Sequence, residues 1–253
     1  MARQKGIIKI QGELGDISFY QTKDGFLARE KGGVSGERIK NDPAFARTRE
    51  NGLEFGRAGK ASMVLRKSIR ELLVVASDPR VTSRLTTEMM RVIKADSRSA
   101  RGARTVNHSG ISLLTGFEFN GDGPLSQSFF APYAPFIDRA GGTMSISIPP
   151  FIPGNMIKAP AGATHYRLIS GGSEVDFATG EFISNIAATE QLPLDHALTD
   201  ALTLESLVSP GSAKPLFLVF GIEFYQLVNG QQYTLNNGTF NGLVVVQVST
   251  VQS

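Results

Sequence analysis

From residue 111 onward the chain changes its hydrophobic period, and that change limits what it can fold into. Eight short runs rich in apolar and β-branched residues follow, at 111–120, 143–148, 164–170, 181–188, 201–206, 215–227, 232–235 and 240–251. Clusters of Gly, Pro, Asn and Ser separate them, among them Asn120-Gly121-Asp122-Gly123-Pro124, Gly171-Gly172-Ser173, Asn229-Gly230 and Asn236-Asn237-Gly238. Met144-Ser145-Ile146-Ser147-Ile148 alternates strictly, as a strand with one buried face must. Leu216-Phe217-Leu218-Val219-Phe220 is continuous, as a strand covered on both sides would be. With no long helical pattern between them, these runs predict an antiparallel β-sandwich over 111–253. Phe129, Phe130, Tyr133 and Phe136 fall in a less regular stretch, read as a cover for one end of the sandwich.

The first hundred residues read differently. Residues 6–11 and 16–22 have strand character, Gly12 and Gly15 bracket a turn, and Lys23-Asp24-Gly25 carries the Asp-Gly pair of a type I′ hairpin, with residues 26–30 as the returning strand. So small a sheet is marginal in water and must dock on something. Asp42-Pro43 is a helix start, an N-cap carboxylate followed by a residue suited to the first helical position. Residues 43–76 follow with helical spacing, with an interruption expected near Gly52, Gly56 and Gly59, whose small side would admit another backbone. Asp78-Pro79 divides this helix from a second whose apolar stripe is Val81, Leu85, Met89, Val92 and Ile93. The fold class is therefore α+β: an N-terminal β-hairpin arm (1–40), a helical hairpin (41–96), a basic linker (97–110) and the antiparallel β-sandwich (111–253).

The run Gly15-Asp16-Ile17-Ser18-Phe19-Tyr20, continued by Thr22-Lys23-Asp24-Gly25 and Ala28-Arg29-Glu30-Lys31-Gly32-Gly33, resembles an uncharacterised group of proteins from Bacteroidota bacteria. The segment from Asp42-Pro43 through Phe45-Ala46-Arg47-Thr48-Arg49-Glu50-Asn51-Gly52 to Phe55-Gly56-Arg57-Ala58-Gly59-Lys60 is similar to the same group. The likeness covers about the first 60 residues. It implies a bacterial host or one of its mobile elements, and no activity, cofactor or site residue comes with it.

Charge divides along the same seam. Residues 1–106 hold 22 Lys and Arg against 12 Asp and Glu, a net +10, and the remainder holds 4 against 11, a net −7. Halves of opposite sign either face different partners or face each other. The chain has no cysteine and three histidines, which removes disulfides, thiolate metal sites and a cysteine nucleophile. His108, His165 and His196 are scattered over different segments. Lys31-Gly32-Gly33-Val34-Ser35-Gly36 lacks the Lys-Ser/Thr of a phosphate-binding loop, and there is no Gly-x-Ser-x-Gly or His-Glu-x-x-His. Glu174 and Asp176 alternate on a short strand without a basic partner that the sequence positions. No cofactor, metal, catalytic residue, leader peptide or membrane span is expected.

The expectation is a non-enzymatic structural or assembly protein that forms homo-oligomers, as a component of a ring, tube or phage-like particle. It would be cytoplasmic or released as part of the assembled particle. Ile17, Phe19, Phe26 and Leu27 would anchor the arm, with Arg47, Arg49, Phe55 and Arg57 at a subunit boundary. The alternative is a nucleic-acid-binding protein using Lys60, Arg66, Lys67, Arg98, Arg101 and Arg104, with a ligand- or carbohydrate-binding sandwich as a further alternative.

Overall fold

The computed structural model describes residues 1–30, 32–106 and 110–251. Lys31 and His108, both noted above, lie outside the described residues. The chain is α+β with a β-rich body, and it divides into two compact units, Met1–Arg49 and Glu50–Ser253. These boundaries differ from those drawn at changes of composition, because the helices beyond Glu50 share a core with the sheets that follow.

In the first unit, strands β1 (Ala2–Arg3), β2 (Gly12–Leu14), β3 (Ile17–Thr22) and β4 (Gly25–Glu30) form an antiparallel sheet in the order β1-β4-β3-β2. Thr22 pairs with Gly25 and positive φ falls on Gly25, so the hairpin turns on Lys23-Asp24, one residue earlier than a type I′ turn on Asp-Gly requires. The strand expected at 6–11 is absent; the chain bends away there, and β2 begins only at Gly12. Helix α1 (Gly36–Asn41) follows, its Arg38 N–H donating to the Ser35 hydroxyl. No helix is expected from sequence within the arm drawn over 1–40, because these six polar-rich residues carry no apolar stripe. Asp42 accepts from Ala44 N at 2.9 Å and opens a 3-10 turn at Pro43, as its capping chemistry predicts.

Helix α2 (Ala46–Ser68) runs unbroken through Gly52, Gly56 and Gly59. The break comes later, at Ile69, before α3 (Arg70–Val75) and α4 (Val81–Lys94). The second unit continues with α5 (Leu125–Ser128), β5 (Ala134–Asp138), β6 (Thr143–Ile148), α6 (Pro153–Met156), β7 (His165–Val175), β8 (Phe182–Ala188), β9 (Leu192–Pro193), β10 (Leu202–Leu207), β11 (Leu216–Val228), β12 (Gln231–Thr234) and β13 (Gly242–Ser249). A strand expected at 111–120 is instead a 3-10 turn and a loop that lies along β13, with a bridge from Glu118 to Val244 and backbone bonds from Gly116 N to Val245 O, Phe119 N to Leu243 O and Val245 N to Phe117 O.

The larger sheet is centred on β11 and β7, paired antiparallel from Leu216–Glu174 to Tyr225–His165. β13 and β12 share the far edge of β11, and β8 and β9 share the far edge of β7. A second sheet, β10-β6-β5, covers one face, and helices α2, α3 and α4 cover the other. Alternation along β11 therefore serves two cores. Phe217 and Val219 pack with Leu65, Leu72, Leu85 and Met89 of the helices, while Leu218, Phe220 and Ile222 pack with Met144, Ile146 and Leu204. The continuous apolar run of β11 follows from this double burial. Gly171 and Gly172 lie in mid-strand on β7 rather than in a turn. A Cβ on Gly171 would stand 2.7 Å from Leu72 Cδ1, and one on Gly172 would stand 2.9 Å from Ser206 Cβ. The pair lets a helix and a sheet approach opposite faces of the same strand. At Asn229-Gly230 both residues have positive φ, 51° and 78°, the geometry an Asn-Gly hairpin predicts.

Candidate interaction surface

The pairing register sorts the arm's side chains. Leu14 faces Ile17, Phe19 faces Ala28, and Gln21 faces Phe26, so Leu14, Ile17, Phe19, Phe26 and Ala28 occupy one side of the sheet. Leu27 sits on the other side, opposite Tyr20, over whose ring the Arg29 guanidinium lies at 5.5 Å. Of the four anchors read from sequence, three thus share a face and Leu27 does not. Among the described residues of Met1–Arg49 no side chain is buried: Ile17 is exposed, and Phe19, Phe26 and Leu27 are half-buried. The bend over residues 4–11 presents Ile7 at full exposure and Ile8 at 83%. Polar groups of this bend are satisfied locally. Gln4 Oε1 accepts from Ile10 N at 2.9 Å, Gln4 Nε2 donates to Ile10 O at 3.1 Å, and Lys9 Nζ donates to Gln4 O and Gly6 O, both at 2.6 Å. Sequence reasoning missed this loop, because Ile-Ile-Lys-Ile reads as strand.

The cations divide into engaged and exposed. Arg49 Nη1 donates to Ile39 O at 2.6 Å and Asp42 O at 2.9 Å, tying the end of α1 to the start of α2. Arg47 is exposed, as is Phe55 at 59%. Arg57 Nη1 donates to Gly102 O and Arg104 O at 2.6 and 3.0 Å, so it holds the 102–104 segment of its own chain. Buried Glu54 accepts from Gly102 N at 2.8 Å and lies 4.0 Å from Arg104 Nε. The 97–105 segment, read from sequence as a flexible basic linker, is therefore fastened to α2. Arg66 and Arg104 are half-buried; Lys60, Lys67, Arg98 and Arg101 are exposed.

Several titratable groups inside the second unit pair with one another, whereas the buried Tyr166 hydroxyl has no hydrogen-bond partner among the described residues. Glu223, 1% exposed, receives Arg167 Nη2 at 2.9 and 3.2 Å and a short hydrogen bond from the Tyr225 hydroxyl; burial and that carboxylate push Tyr225 up to about 12. Lys214 Nζ stands 3.9 Å from both Glu174 and Asp176, the basic partner that sequence spacing did not place. Asp78 accepts from Arg84 and from Gly121 N and Arg80 N; burial opposes its charge, yet these bonds leave its carboxyl below the usual range. Burial pushes the Glu118 carboxyl up, while Leu125 N and Ser126 N donate to it. Among the described residues no group of three or more His, Cys, Asp or Glu is arranged to hold a metal ion. In the described residues no helix is long and apolar enough to cross a membrane.

No family model matches the chain, and no curated protein matches it. A solved structure described as "pH-induced modulation of Streptococcus parasanguinis adhesion by Fap1 fimbriae" is similar at 14% identity and a TM-score of 0.24, over 46% of this chain and 81% of that one. Likeness at that level carries no argument about function.

Proposed function

We propose that the protein is a non-enzymatic assembly subunit whose N-terminal arm packs on another copy of the same chain, in a ring, tube or phage-like particle. One observation carries this reading: a unit of 49 residues, with an apolar sheet face and an isoleucine loop, has no buried side chain among its described residues. Units this small rarely stabilise themselves through their own core, and without cysteine no disulfide can make up the deficit. Burial against a second copy supplies the missing contact. Light scattering after size exclusion tests it. The wild-type chain is expected at a multiple of 27.2 kDa, and Ile17→Ser with Phe26→Ser is expected to shift it toward the monomer. A monomeric wild type across the accessible concentration range defeats the reading.

The nucleic-acid reading draws on the exposed Lys60, Lys67, Arg98 and Arg101. Retention of DNA or RNA that weakens steeply with salt would favour it, through release of phosphate counterions.

A further inference from the structure

We propose that the groove at the open end of the β10-β6-β5 sheet is the receptor for the isoleucine loop, residues 6–10, of a second copy. This rests on the assembly reading and names the surface the arm meets. The groove encloses about 420 Å³ and is walled by Pro132, Tyr133, Ile148, Pro149, Ala201 and Leu202. Its aromatic wall is fixed: the Tyr133 ring lies 4.8 Å from Phe220 and 6.1 Å from Phe129. Across the exposed side of the sheet, Ala134, Ser147 and Thr203 form one row and Phe136, Ser145 and Glu205 the next, with Phe136 60% exposed.

Three properties match this groove to that loop. First, both are apolar where they would meet: Ile7 and Ile8 project almost wholly into solvent, and the groove has proline, tyrosine and aliphatic walls. Second, the two ends of the loop are already tied by side chains, Ile10 N and O to Gln4 and Gly6 O to Lys9, so the bend is held in shape before it meets a partner. Third, the flanking charges are complementary. Arg3 and Lys5 are exposed cations beside the loop. Asp200, next to the groove wall at Ala201, and Glu205, one row along, are exposed carboxylates that have neither an ion pair nor a hydrogen bond among the described residues. Such complementarity fixes orientation and raises encounter rates. A loop of one copy seated in a groove of the next is a head-to-tail contact, which closes into a ring or continues as a filament.

Because the chain has no cysteine, a cross-link reports this contact directly. Copies carrying Ile8→Cys are mixed with copies carrying Thr203→Cys under mild oxidation, both positions being exposed and outside the cores. The expected result is a disulfide-linked heterodimer as the main product, exceeding the links between identical variants. If links form only between identical variants, or none form while the wild type still scatters as an oligomer, the groove assignment falls and the assembly reading stands. If the wild type is monomeric throughout, both fall.

Discussion

At the scale of single residues, close approach explains positions that composition misreads. Gly221 on β11 lies between β7 and β13, and a Cβ there would stand 2.3 Å from the Gly242 carbonyl oxygen. The obstacle is backbone, which cannot swing aside as a side-chain tip can. Gly221→Ala is therefore expected to lose about 1–3 kcal/mol in urea unfolding, toward the upper end. Asp96 shows the opposite kind of residue, one kept charged by its surroundings. The Ser99 side chain and the Ser99 and Arg98 N–H groups lower its carboxyl from 3.8 to about 2. A depressed folded value means that its contribution is complete above 3.8 and disappears as the pH falls toward about 2. The stability advantage of wild type over Asp96→Asn is expected to shrink across that window in acid titrations followed by circular dichroism. A gap that widens on acidification would contradict the assignment.

At the scale of elements, α2 shows what glycine does when nothing approaches it. Added Cβ atoms at Gly52, Gly56 and Gly59 would meet no atom within 4 Å. Gly56→Ala is then expected to raise the unfolding free energy of the monomer by about 0.5–1 kcal/mol, from helix propensity alone, as urea titration would show. The same contrast explains how much of the fold was legible. Strict alternation gave β6, continuous apolarity gave β11, and Asn229-Gly230 gave its hairpin, because each is a local rule with one outcome. Gly171-Gly172 misled: a turn and a strand pressed from both faces require the same small residue, and only the neighbours distinguish them. Residues 111–120 misled because Ile111 and Leu114 are buried from a 3-10 turn and only 116–119 bond to β13, Ile111, Leu114 and Phe119 all being inaccessible. Within the arm, Ile17, Phe19 and Phe26 come to one sheet face and Leu27 to the other, a division that follows from the register of the hairpin. The isoleucine loop was not legible, since its bend depends on the Gln4 side chain reaching Ile10 and Leu27. Arg57 likewise looked free until the fold brought the 102–104 carbonyls to it, a contact 45 residues distant in sequence.

Over the whole of Glu50–Ser253, helices and the two sheets form three layers with the β7–β11 pair in the middle. Side chains that alternate along β11 belong to both cores, so neither core can melt without exposing the other side of the same strand. Helix-weighted and tyrosine-environment signals are therefore expected to unfold together. Leu85→Ala, a truncation in the helical layer at a fully buried position, is expected to cost about 2–5 kcal/mol and to move both signals by the same amount. Separate transitions would show that the helices are an appendage.

The arm's greasy loop also has a thermal consequence. In the proposed assembly, association driven by shedding water from Ile7, Ile8 and their neighbours would grow weaker in the cold, whereas contact between charges alone has no such signature. Chilled samples should thus contain smaller species than warm ones, and rewarming should rebuild them.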